Sequence, residues 1–262
     1  MCAQCRGQIL DRRQWLLGQC AVTMGLVFSP ADAFADALIE PQLHVQRGSS
    51  DQTCVALTLD ACSGHTDFAL LEQLVAWHVP ATLFVTGQWV AANPAAVAFI
   101  KAHEALFTLG NHGGQHRAAI WGRAAPFGVR AVGSVEGLRD EIVAGEQAIL
   151  NRFGQKPRWF RGATACYIPK AVPLIAAMGY AVAGYSLNAD AGASLSAAAV
   201  RERVERAAAG DVILAHMNHP ERACGRGLIA GLDRLLSRSM RFVTLDGIWQ
   251  ATHTAQHASA TL

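Results

Sequence analysis

Apolar and polar positions along the chain fall into two alternating periods. From Cys54 to Leu59 the period is two, with Val55, Leu57 and Leu59 on one face and Ala56 on the other. Both faces are apolar, which predicts a strand buried on both sides, as in a parallel sheet. Short apolar runs at 81–86, 106–111, 158–161, 180–185, 211–215 and 241–245 predict six more strands. Between them the period becomes helical: Asp67 to Trp77, Pro94 to His103, a long stretch begun by Ser134-Val135-Glu136-Gly137 and stopped by Gly154, Pro169 to Gly179, Leu195 to Ala209, and Gly227 to Ser237. Strands alternating with helices predict βα units in a seven-stranded barrel-like arrangement, with an open doubly wound sheet as the alternative. The segment from His116 to Gly133 is the longest without an element of its own. Its Trp121 suits stacking on a sugar ring; alternatively, Trp121 and Phe127 pack the loop down onto the barrel.

A chain of 262 residues, 52% hydrophobic and 16% charged, is long enough for one large α/β domain or two small ones. Its net charge of +2 is spread without a basic run, which points away from nucleic acid and from an anionic membrane surface. Arg12-Arg13-Gln14-Trp15-Leu16-Leu17, an apolar core from Cys20 to Phe28, and Ala33-Phe34-Ala35 together look like a twin-arginine export signal over residues 1–35. The other reading, an amphipathic helix or membrane anchor, meets an apolar core far short of the ~20 residues needed to cross a bilayer. The expected organisation is therefore a signal (1–35), a linker (36–52), a catalytic domain (53–250) and a polar tail (251–262), periplasmic or secreted and without stable membrane insertion. Of seven cysteines, three fall in the signal and leave Cys54, Cys62, Cys166 and Cys224. Three pairings are open to them in an oxidising compartment; Cys62 with Cys166 is favoured, since both follow strand ends placed at one mouth.

Reactive side chains follow the predicted strands. Asp60 ends the first, ahead of the small residues Ala61-Cys62-Ser63-Gly64, either as an active-site carboxylate or as a helix N-cap. His112 and His116 follow the third at metal-ligand spacing, provided the backbone turns helical there; otherwise they are two loop histidines. Arg161 follows the fourth, Asp190 the fifth and His216 the sixth, with a turn aspartate and a core histidine as the plain alternatives for the last two. Strand ends at one mouth would bring these groups together.

Taken in order, these positions resemble the polysaccharide deacetylase family with the NodB homology domain, carbohydrate esterase family 4, over roughly Cys54 to Ile248. Thr58-Leu59-Asp60-Ala61 is similar to its Thr-Phe-Asp-Asp element and Asn111-His112-Gly113-Gly114-Gln115-His116 to its Asn-His-[Ser/Thr]-x-x-His element. Phe160-Arg161-Gly162 through Tyr167 is similar to Phe-Arg-x-Pro, Ser186 to Asp190 to the stretch with an orienting Asp, and Ile213-Leu214-Ala215-His216 to Leu-x-His. The resemblance implies a distorted (β/α)7 barrel of NodB type and a metal-dependent hydrolase that removes N- or O-linked acetyl groups from an envelope or extracellular polysaccharide. It implies a divalent ion, zinc or alternatively cobalt or nickel, on His112 and His116, with Asp60 as general base and Arg161 holding it. It also implies His216 as general acid oriented by Asp190, and the Tyr167 backbone N–H near the oxyanion. An acetylated polysaccharide or oligosaccharide would be the partner. Two departures stand out. Ala61 occupies the place of the family's metal-binding Asp, so that Asp67, another carboxylate, waters or Asp60 itself would have to complete the site; and Gly162-Ala163-Thr164 replaces the proline. The missing carboxylate motivates the rival readings, a carbohydrate-binding protein that has lost catalysis or an amidohydrolase of a small cyclic amide.

Overall fold

The structure is a computed structural model describing residues 37–45 and 53–247. The predicted export signal, residues 46–52 of the linker and the polar tail lie outside them. The strands are β1 (Cys54–Ala61), β2 (Ala81–Val85), β3 (Phe107–Asn111), β4 (Trp159–Phe160), β5 (Ala181–Val182), β6 (Leu187–Asn188), β7 (Val212–His216) and β8 (Arg241–Val243). The helices are α1 (Phe68–Ala76), α2 (Gly87–Ala92), α3 (Pro94–Ala102), α4 (Val135–Phe153), α5 (Ala171–Ala177), α6 (Ala197–Glu205) and α7 (Cys224–Ser237). Every strand pair is parallel, in the order β5-β4-β3-β2-β1-β7-β6, with β8 against the first residues of β1.

The two-sided burial expected of β1 is present. Val55, Leu57, Leu59 and Ala61 join an apolar layer with Leu70, Leu71 and Leu74 of α1 and Leu228 and Leu232 of α7. Ala56 faces the other way, with Phe84, Tyr185 and Leu214. At about 1.5–3 kcal/mol for each large side chain removed from water, this double layer makes β1 the spine of the sheet. The long helix α4 has the ends its sequence predicts: Ser134 Oγ accepts from Gly137 N at 3.0 Å, and Gly154 closes it in the left-handed region at φ 77°.

The sheet curls into a half-barrel. Its path ends at β5 and β6, which the sequence reading merged or missed: the run 180–185 forms a strand only at 181–182, and β6 is a separate pair of residues. The segment 39–45 lies along this seam, with Tyr185 N donating to Pro41 O at 3.3 Å, Leu43 N to Tyr185 O at 3.4 Å and Val45 N to Gly210 O at 2.8 Å. Gly184 permits the contact, since a Cβ there would lie 1.9 Å from the Pro41 carbonyl oxygen. Helix α2 also went unpredicted; Thr86 caps it, its Oγ1 accepting from Trp89 N at 3.1 Å.

Candidate active site

Parallel register places the chemistry. Asp60 is opposite His216 on β7, while Asn111, just before His112, is opposite Phe160, just before Arg161. The carboxyl ends of four strands therefore deliver Asp60, His112, Arg161 and His216 to one mouth, above a cavity of about 470 Å³.

Arg161 has no exposed surface. Its Nη1 donates to Asp60 Oδ1 at 2.8 Å and to Thr58 Oγ1 at 2.9 Å. Its Nε and Nη2 donate to the carbonyls of Ala183 and Gly184 at 3.3 and 3.0 Å, and its guanidinium lies 4.2 Å from the centre of the Phe84 ring. The charge thus bridges β1 to the open seam after β5. Burial alone would push the Asp60 carboxyl up; the charges of Arg161, His112 and His216 and the Arg161 hydrogen bond outweigh it, so the pKa lies below the usual carboxylate value. Asp60 is ionised and is no helix cap.

On the facing side, His216 Nδ1 lies 2.9 Å from Asp190 Oδ1, and its backbone N donates to Asp190 Oδ2 at 2.7 Å. Burial opposes charge on this imidazole, but hydrogen bonds to Asp190 and Cys62 and the charges of both raise its pKa well above the ordinary histidine value. An imidazolium at the cavity wall, aimed by a buried carboxylate, is equipped to give up a proton.

His112 and His116 do meet, with ring centres 5.0 Å apart, but no helical turn brings them together. Gly113 (φ 87°) and His116 (φ 58°) both lie in the left-handed region and fold the loop back on itself. Asn111 Oδ1 accepts from Gly113 N at 2.8 Å, and the buried Glu141 of α4 accepts from Gln115 N at 2.9 Å and Arg117 N at 3.0 Å. His112 Nδ1 lies 2.6 Å from the Arg161 carbonyl oxygen. A carbonyl only accepts, so Nδ1 carries a proton and Nε2 is the ring nitrogen left for the cavity side.

The third donor beside these imidazoles is Cys62. Its Sγ lies 3.5 Å from His112 Nε2, and one donor atom from each of Cys62, His112 and His116 lies within 4.8 Å of the other two. Burial would raise the thiol pKa, but hydrogen bonds to His112, His116 and His216 bring it well below the usual value, which favours the thiolate. A thiolate with two imidazoles on a cavity wall is a donor set that fits a divalent metal ion.

Four sequence expectations are corrected. Asp67, offered as a replacement ligand, caps α1: its Oδ1 accepts from Leu70 N at 3.1 Å, and it does not join the donor cluster. The Tyr167 N–H cannot meet an oxyanion, because it donates to Ile39 O at 2.9 Å, and the Tyr167 side chain is buried with its hydroxyl accepting from Gly162 N. Trp121 packs against the cluster of Ala119, Phe160, Tyr167 and Ile175 and not on the cavity; Phe127, 86% exposed, and Val129 line it from the same loop. The favoured Cys62–Cys166 pair is likewise absent, all four described cysteines being free. Thr164 (φ 72°) and Ala165 (φ 53°), directly after the position of the family's proline, form a left-handed turn on the cavity wall.

Residues 47–183, just over half of the chain, match the polysaccharide deacetylase family. The chain belongs to that family. No curated protein matches it. Solved structures similar to it include the peptidoglycan deacetylase PdaC from Bacillus subtilis, at 21% identity over 80% of this chain and 96% of that one, with a TM-score of 0.63. The Xyl-CE4 domain of a multidomain xylanase from the hindgut metagenome of Trinervitermes trinervoides is 21% identical over 78% of this chain and 92% of that domain, with a TM-score of 0.64. A CE4-family pseudoenzyme from Bacillus anthracis is also 21% identical, over 77% of this chain and 67% of that one, with a TM-score of 0.61. At such identities the likeness establishes the fold, and the polysaccharide deacetylase half-barrel is the architecture seen here.

Proposed function

We propose that this protein is a metal-dependent deacetylase that hydrolyses N- or O-linked acetyl groups on an envelope or extracellular polysaccharide. The observation that carries the reading is the pairing of an ionised, Arg-held carboxylate with a Asp-held imidazolium across one cavity. Cys62, His112 and His116 would hold the metal. When bound there, a divalent ion supplies Lewis acidity toward the acetyl carbonyl and toward water.

The chain's own residues divide the proton work. Asp60 Oδ2, the oxygen not bonded to Arg161, accepts the proton of a water attacking the acetyl carbon, while Arg161 keeps the carboxylate fixed and charged. As the new carbon–oxygen bond forms and the bond from the acetyl carbon to the sugar nitrogen or oxygen breaks, His216 Nε2 delivers a proton to the departing group. Asp190, on Nδ1, holds the ring in place and stabilises its charge. Neither carboxylate–cation pair is needed merely to bind sugar, which favours catalysis over a binding-only role. The metal-free protein, reloaded with zinc, cobalt or nickel, should release acetate from acetylated glucosamine oligomers. Absence of acetate from chitin-, peptidoglycan- and biofilm-type substrates with all three metals would overturn the reading.

The substrate's location follows from the twin-arginine-type segment. No helix among the described residues is long and apolar enough to cross a membrane. A reporter fused to residues 1–40 should be exported, and replacing Arg12 and Arg13 by lysine should abolish export; a reporter retained inside the cell would reject periplasmic action.

A further inference from the structure

The family's second carboxylate is absent at position 61, yet two imidazoles still turn toward a common point. Strand geometry shows what replaces it. Residues of odd number in β1 face the helix layer, and Ala61, wholly buried there with Leu57 and Leu59, offers nothing to the cavity. Asp60 and Cys62, two residues apart, both line the cavity. The Cys62 backbone is pinned, its carbonyl accepting from Thr86 Oγ1 at 2.7 Å and Gln88 Nε2 at 2.9 Å, so the sulfur is presented from a fixed base. Its Sγ lies 3.5 Å from the Nε2 that the Arg161 carbonyl has freed on His112.

Building on the metal dependence read above, we infer that Cys62 has taken over the ligand role one residue downstream. The site thereby becomes a sulfur–nitrogen centre selective for thiophilic divalent ions such as zinc, cobalt and cadmium. An aspartate with two histidines offers oxygen-preferring ions one ligand of the kind they favour. A thiolate in its place favours borderline and soft ions and gives little to manganese, magnesium or calcium, which bind through oxygen. Among the described residues no other cysteine joins the cluster, so Cys62 is the sulfur they offer a metal here.

The test uses the metal-free full chain and three readouts besides activity. Cobalt titrated into it should produce a thiolate-to-cobalt charge-transfer band in the near ultraviolet, absent in Cys62→Ser. Cadmium and zinc should bind Cys62→Ser about 100-fold more weakly, a fall expected when one of three charged or imidazole ligands is lost. In Cys62→Asp the preference for cadmium over manganese should collapse while zinc still binds. Alkylation of the wild-type chain followed by mass spectrometry requires no variant to fold: zinc should protect Cys62 and leave Cys54, Cys166 and Cys224 unchanged in reactivity. Cobalt bound without the band, or Cys62 alkylated equally with and without zinc, would overturn the sulfur ligand while leaving a metal-dependent deacetylase standing. The band and the protection together, with no acetate released, would uphold the ligand and reject the deacetylase. A chain that binds none of these metals would reject both.

Discussion

A guanidinium with no exposed surface must satisfy its donors inside the protein, and Arg161 does so with four hydrogen bonds reaching two carbonyls, a threonine and Asp60. The pair is mutually dependent. Replacing Arg161 by methionine, of comparable length and apolar, leaves a buried carboxylate with no adjacent guanidinium. A broken buried pair costs about 3–5 kcal/mol, and chemical denaturation near neutral pH should show a loss of that order. The sign of the pH dependence follows from Asp60. In the native protein its pKa is depressed, so the stability it contributes is present above the unfolded-state value and lost as pH falls through the folded one. Without Arg161, two of the influences that lower the pKa are gone while burial, the largest influence, remains, so the folded pKa rises and the deficit of the variant should shrink as the pH is lowered and Asp60 takes up a proton. The acid limb of the activity profile should move to higher pH in the same variant. A deficit independent of pH would mean that Arg161 acts through packing against Phe84 alone. The identities of Asp60, Arg161, Asp190 and His216 were legible from sequence because each ends or follows an apolar run. Cys62 was not, since the resemblance points to a carboxylate at position 61, and only the alternation of β1 shows which residue turns inward.

The loop carrying His112 and His116 shows how a distant element decides a local geometry. Histidines four apart suggested a helical turn, but no hydrogen-bonded turn forms; the loop is instead held by α4. Glu141 accepts from two of its backbone N–H groups, its carbonyl accepts from Gly114 N at 2.8 Å, and a Cβ on Gly113 would come within 2.3 Å of Glu141 Oε1. Glu141 sits within an amphipathic helix next to Asp140, where an acidic residue reads as solvent-facing, so periodicity could not mark it. Its burial at 4% exposure is visible only once the loop is docked. Removing it in Glu141→Ala frees two partly buried donors and lets His116 leave its left-handed conformation. Metal affinity should fall about 10–100-fold, as it does when partners that orient metal ligands are lost, and Glu141→Gln, which keeps an accepting oxygen, should fall less. Competition with a chelating dye would measure both. Equal affinity in all three proteins would leave the loop's shape to its glycines.

At the scale of the molecule, the half-barrel has a seam, and the seam is where sequence reading was weakest. Strands β1, β2, β3 and β7 span five to eight residues with apolar faces and were read close to their true bounds. Strands β5 and β6 have two residues each, too few for any period to register, and what orders them is contact with segments remote in sequence. From one side Arg161 grips the Ala183 and Gly184 carbonyls; from the other, Pro41 and Leu43 pair with Tyr185. Gly184 is the hinge of both, since its carbonyl holds Arg161 and its missing Cβ admits the Pro41 backbone. Gly184→Ala therefore tests whether the strap at 39–45 and the catalytic carboxylate are mechanically linked. A methyl group 1.9 Å from the Pro41 oxygen must displace either the strap or the 183–184 backbone. Overpacking of this kind costs about 1–3 kcal/mol, readable as a lower denaturation midpoint, with earlier proteolytic cleavage near residues 39–45. If the strap alone yields, kcat should stay near the wild-type value. If the 183–184 backbone yields instead, the Arg161 hydrogen bonds lengthen, Asp60 loses part of its counter-charge, and the acid limb of the activity profile should move up in pH together with the fall in stability. An unchanged midpoint and unchanged cleavage would show that the strap does not press on the seam.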